Sequence, residues 1–152
     1  MLFLLIRSIH VLAAIWFCCG IAGYLTARLA ALRAEDVHAV DALVKMMGRF
    51  RNLMVRPGGG LLVIFGLWAA YDEAWPRFSI HAIILLVILV PFMVLMVNGS
   101  HKLEAASAEA VKSGSVTLEL NTAMRARPLV IAEYAVGVIT ILFLLLMLLK
   151  PA

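Results

Sequence analysis

The sequence predicts an all-α membrane protein, a four-transmembrane-helix bundle built as an internal two-fold repeat of helix pairs. Three observations lead there. Of 152 residues, 64% are hydrophobic and 14% charged, with a mean hydropathy of +1.04, outside the mix of a water-soluble domain. Four apolar stretches approach or exceed the ~20 residues that a helix needs to cross hydrocarbon. Short polar motifs also recur at one fixed offset along the chain. Together these exclude a soluble domain, a large extramembrane enzyme domain, a disordered chain and a disulfide scaffold. The ten-residue alternation of a membrane barrel is absent, and an open sheet would leave backbone groups unpaired in lipid.

The spans are predicted at Leu2 to Ala31, Leu53 to Tyr71, Phe78 to Asn98 and Pro128 to Leu149, one transmembrane domain over residues 1–152. Each has a stop: Arg28 and Arg33 for the first, Asp72-Glu73 for the second, Gly99-Ser100-His101-Lys102 for the third, Lys150-Pro151 for the fourth. In the second, only Gly58 to Tyr71 is free of charge, so Arg56 must snorkel or sit within the bundle. Between the first two spans, residues 35–51 place Val37, Val40, Leu43, Val44 and Met47 on one helical face. An amphipathic segment of this kind lies along the membrane surface or extends a span. The segment from Leu103 to Arg125 is polar, contains Ser113-Gly114-Ser115, and reads as a flexible loop.

Lys and Arg mark the cytoplasmic side. Arg28, Arg33, Lys45, Arg49, Arg51, Arg56, Lys102, Lys112, Arg125 and Arg127 fall on one side, against Arg7, Arg77 and Lys150 on the other. The expected placement is a bacterial cytoplasmic (inner) membrane, with both termini periplasmic. The pI of about 9.4 then reflects orientation in the bilayer, and no nucleic-acid partner is expected. Cys18 and Cys19 are adjacent on one helix, where they cannot easily bridge, and read as packing groups. Phosphate-binding, metalloprotease and hydrolase motifs do not occur.

Sliding the chain against itself aligns Ser8-Ile9-His10 with Ser79-Ile80-His81 and Arg56-Pro57 with Arg127-Pro128, both at an offset of 71 (10 to 81, 56 to 127). Helices one and two would then repeat as three and four, about an axis along the membrane normal. That symmetry puts His10 and His81 at equal depth. Two imidazoles at one depth in an apolar bundle suit bis-histidine ligation of haem iron. Arg7 and Arg77 could meet its propionates, while Phe17 and Gly20, on the His10 face, offer a ring to stack on and room for a macrocycle. The bland reading of each histidine is a ring near a span end bonded to a backbone carbonyl. Toward the other side, Arg56, His101, Arg127 and Glu133 suggest a cluster in which Glu133, the one acid inside a span, pairs with Arg56 or Arg127, as a structural lock or as a proton relay or quinone site, while His101 faces solvent.

The run Arg7-Ser-Ile-His10-Val-Leu-Ala-Ala-Ile-Trp16-Phe17, followed by Gly20 and Tyr24-Leu25, resembles the first helix of the HemJ-type membrane protoporphyrinogen oxidases and their small four-span bacterial relatives. Arg56-Pro57 before Phe65-Gly66-Leu67-Trp68, then Trp75, His81, Glu133 and Leu149-Lys150-Pro151, follow the same order. The chain departs from the oxidase pattern at Thr26 to Ala31 and at Ile83, and so is more similar to the uncharacterised relatives. The resemblance implies a four-helix membrane fold and haem b, with His10 as the haem-linked histidine. The expected function is a haem b-binding protein of electron transfer or haem metabolism, with a membrane haem-dependent oxidoreductase as the enzymatic form. Its expected partners are the lipid bilayer, a quinone or a porphyrin, and a homodimer or larger membrane complex. The competing reading is a cofactor-free accessory subunit of a respiratory or transport complex.

Overall fold

The computed structural model describes residues 2–72 and 77–148. Among these the chain is helical, with no strand: α1 (Leu2–Arg33), α2 (Val37–Phe50), a π turn (Arg51–Val55), α3 (Arg56–Asp72), α4 (Arg77–Ser113), α5 (Leu118–Met124) and α6 (Arg127–Leu148). Four stretches are long and apolar enough to cross a membrane: Leu4–Arg33, Val37–Ala69, Ile80–Ser113 and Leu118–Leu146. The predicted end of the fourth span at Leu149 lies outside the described residues.

Each boundary has a local cause. After Arg33 the chain turns, and the Asp36 carboxylate accepts the Ala39 N–H at 2.8 Å, capping α2. The amphipathic segment extends a span: α2 runs through the π turn into α3 as one rod, with Val37, Val40, Val44 and Met47 buried. In that turn the Arg56 N–H donates to the Arg51 carbonyl five residues back. The wide turn falls directly before Pro57, whose ring would crowd the carbonyl four residues earlier in a regular helix and whose nitrogen has no proton to give it. Pro128 sits in the first turn of α6, where no N–H is needed. Thus α3 and α6 both begin at the arginine of an Arg-Pro pair, as the repeat requires.

The segment from Leu103 to Ser113 corrects the expected loop, because it continues α4. Leu103, Ser107 and Ala110 recur at helical spacing and are all buried, against Asp41 and the apolar face of α2. Small residues and one serine hid that stripe. α4 ends at Gly114, whose φ of +72° is the left-handed conformation that terminates helices, and the Thr117 hydroxyl then caps α5.

Packing is pairwise. α1 lies against α2, the π turn and α3; α4 lies against α6, α2 and α5; α1 and α6 meet in a shorter contact. Close approach of α1 to α3 depends on missing side chains. A Cβ on Gly20 would lie 2.7 Å from Met54 Cβ, and one on Gly58 would lie 3.0 Å from the Phe17 nitrogen. The burial is uneven. In the spans carrying α1 and α6, 33% of the apolar window is buried inside the protein, against 11% in those carrying α3 and α4.

Candidate functional site

Polar side chains gather in two places. The first is the seam between α1 and α3. There the half-buried His10 ring places Nδ1 3.1 Å from the Leu62 carbonyl oxygen, so Nδ1–H is the donor and Nε2 carries the lone pair. The ring fits only because residue 66 is glycine, since a Cβ there would come within 2.8 Å of His10 Cε1. Two residues of α3 one helical turn apart therefore fix the imidazole: one receives its proton, the other makes room for it. One turn on from His10, Ala14 and Phe17 line a small apolar cavity of about 40 Å³ with Leu62, Leu86, Thr140 and Phe143, contributed by all four long helices. A wider groove of about 450 Å³ adjoins it between α3 and α4.

The other predicted members of this site are placed as follows. His81 lies exposed on α4, a helix that packs on α6, α2 and α5 rather than on α1. Arg7 is exposed near the start of α1, and the Arg77 side chain lies outside the described ones. Phe17 is buried and lines the cavity. Gly20 is buried where α1 meets the π turn, with Met54 and Val55 directly over its Cα.

The second gathering is a buried polar layer nearer the α2 and α5 ends of the bundle. Glu133, on α6, is 5% exposed and receives three hydrogen bonds. Tyr24 Oη donates to its Oε1 at 3.0 Å, and Arg28 Nε donates to Oε1 and Oε2 at 3.0 and 3.1 Å. Arg28 Nη2 donates to the Met124 carbonyl, which ties in the end of α5. Arg28 Nη1 is the one buried side-chain polar atom without a partner among the described residues. The carboxylate's partner is thus Arg28, whereas Arg56 and Arg127 are exposed and make no ion pair among the described residues. The reason is geometric. Arg56 and Arg127 stand at the first residue of their helices, while Tyr24 and Arg28, four apart on one face of α1, point into the α1–α6 contact.

Arg51, 1% exposed, does the same for the other pair of helices. The π turn directs it to α4, where Nη1 donates to Ser100 Oγ and Nη2 lies 3.0 Å from Glu104 Oε1. His101, exposed as expected, sits 3.6 Å from the second Glu104 oxygen. Gly48 lies beneath this contact, where a Cβ would press on the Glu104 carboxylate and shift it. Further along, Ser107 Oγ donates to Asp41 Oδ1 at 3.1 Å. The layer holds two arginines against two glutamates, which balances formal charge, and it joins α1 to α6 and α2 to α4. Its chemistry is that of a clamp, in which each buried guanidinium has its carboxylate.

Sequence reasoning missed Tyr24, Arg28, Arg51, Ser100 and Glu104. One signal could have found the first two: Glu133 has no cation three or four residues away on its own helix, and α1 alone among the spans carries a phenol and a guanidinium four apart.

Fold and site together define a four-span helical membrane protein with a buried inter-helix ion-pair layer at one end and a histidine seam toward the other. The chain belongs to the family described as predicted integral membrane protein (DUF2269), whose model matches residues 4–151. No curated protein and no solved structure matches it.

Proposed function

We propose that the chain is a haem b-binding membrane protein of electron transfer or haem metabolism, in which His10 and His81 would hold the iron and Arg7 and Arg77 would meet the propionates. The observation that carries this reading is the His10 arrangement. A histidine that ligates a metal commonly gives its other ring proton to a carbonyl, which fixes tautomer and orientation and raises the basicity of the ligating nitrogen. Leu62 does this for His10, and Gly66 lets the ring approach. By the chemistry of its donor atom, the residue would suit the iron of a haem. Haem, when bound, would supply one-electron chemistry, and the chain's part is to ligate it and exclude water. In the proposed orientation the Arg28 and Arg51 end faces the cytoplasm and both termini the periplasm, following the distribution of Lys and Arg.

The same Leu62 bond also satisfies a half-buried ring that has no cofactor. The second reading, an accessory subunit of a larger membrane complex, is favoured by the wide apolar faces that α3 and α4 leave uncovered. A reduced-minus-oxidised spectrum with a pyridine haemochrome assay separates the two. Haem binding predicts a b-type signal at about one haem per chain, lost in His10→Ala and His81→Ala and kept in His101→Ala. A colourless protein, after expression with ample haem, that co-purifies with larger subunits would replace this reading by the second.

A further inference from the structure

The groove between α3 and α4 has a chemistry of its own, independent of the haem reading. Gly60 and Val63 form one wall, Leu89, Met93 and Val97 the other, and Phe17 of α1 the floor. A Cβ on Gly60 would meet nothing within 4 Å, so the groove is open where that side chain is missing. The lining changes character at one end only, where Arg56 and Asn98 close it. Both Arg56 and, one turn beyond Asn98 on the same face of α4, Lys102 are exposed, and neither pairs with a carboxylate among the described residues. The nearest acid in sequence on α4, Glu104, is already engaged by Arg51 and His101.

A long apolar trough with cations at a single end is complementary to an amphiphile with one anionic head. We propose that this groove binds an anionic phospholipid, with an acyl chain along Gly60 and Phe17 and the phosphate at Arg56, Lys102 providing the second cation. A parallel second copy of the chain suits the groove less well, because it would bring its own basic end against Arg56 and Lys102.

Native mass spectrometry of the full chain in mild detergent tests this, with phosphatidylglycerol and phosphatidylcholine of identical acyl chains added in turn. The expected result is retention of phosphatidylglycerol over phosphatidylcholine, reduced roughly fivefold by Arg56→Gln and again by Lys102→Gln. Gly60→Leu fills open space without a clash and should displace both lipids while the helical circular dichroism stays unchanged. Equal retention of the two lipids by the unaltered chain would overturn the proposal. So would undiminished retention in Gly60→Leu, competition by inorganic phosphate alone as effective as by the lipid, or a dimer that excludes lipid from the groove.

Discussion

At the α2 and α5 end of the bundle, Arg28, Arg51, Glu133 and Tyr24 are almost wholly enclosed, and the Tyr24–Glu133, Arg28–Glu133 and Arg51–Glu104 contacts each link separate elements. Toward the chain ends, α1 and α3 meet along an apolar seam in which the His10 ring donates to the Leu62 carbonyl. The difference shows how a small membrane bundle divides its work. Apolar contacts between helices compete with equally apolar lipid, so they fix position weakly. Buried ion pairs fix it strongly, because the alternative to a partner is an unsatisfied charge in a medium that will not solvate it. An end locked in this way would leave the other free to admit the haem proposed for it.

The repeat makes the contrast sharper. At the offset that pairs His10 with His81, Tyr24 and Arg28 fall on Leu95 and Gly99, and Glu133 falls on Leu62. The position that supplies a carboxylate to the clamp in one half therefore supplies only a backbone carbonyl to His10 in the other. One helical position serves the lock once and the candidate ligand once.

The largest expected effect breaks the lock. Glu133→Ala strands the Arg28 guanidinium and should cost about 3–5 kcal/mol, read as a lower unfolding midpoint in detergent. Arg28→Ala with Glu133→Ala should cost less than the sum of the two single changes, and strict additivity would show that the pair is not coupled. Next comes the α1 seam, where Gly20→Leu drives a side chain into Met54 and Val55 and should cost about 1–3 kcal/mol. At the histidine end, His10→Ala removes one hydrogen bond and should lower stability by about 1 kcal/mol, while abolishing any haem signal. A stability loss there as large as that of Glu133→Ala would erase the distinction between the two ends. The smallest effect is expected at Lys45, 68% exposed and paired with Asp41 one turn away. Lys45→Ala should shift stability by less than about 0.5 kcal/mol.

The lock was the part least legible in the sequence, and the reason is physical. Hydropathy locates spans because every residue in lipid pays for polarity separately, so four apolar runs and the amphipathic face of residues 35–51 could be read one position at a time. In the sequence Arg28 reads as the charge that stops the first span, which is what a lone arginine does; only the α1–α6 contact reveals that it faces inward to Glu133. Arg51 is turned inward by a π turn that no hydrophobic period announces. The α4 extension was hidden by its small residues, Ala106, Ser107 and Ala110, which pack as tightly as larger ones while looking polar in composition. His10 was legible through its recurrence at His81, but its partner was not, since a backbone carbonyl has no letter in the sequence.

The most direct test of a locked end and a ligand-bearing end is the reduced-minus-oxidised absorption spectrum of the purified chain beside its His10→Ala and Glu133→Gln variants. The account predicts a b-type spectrum for the unaltered protein, no signal for His10→Ala, and a spectrum of unchanged band position for a less stable Glu133→Gln. A colourless unaltered protein, or full haem content in His10→Ala, would contradict it.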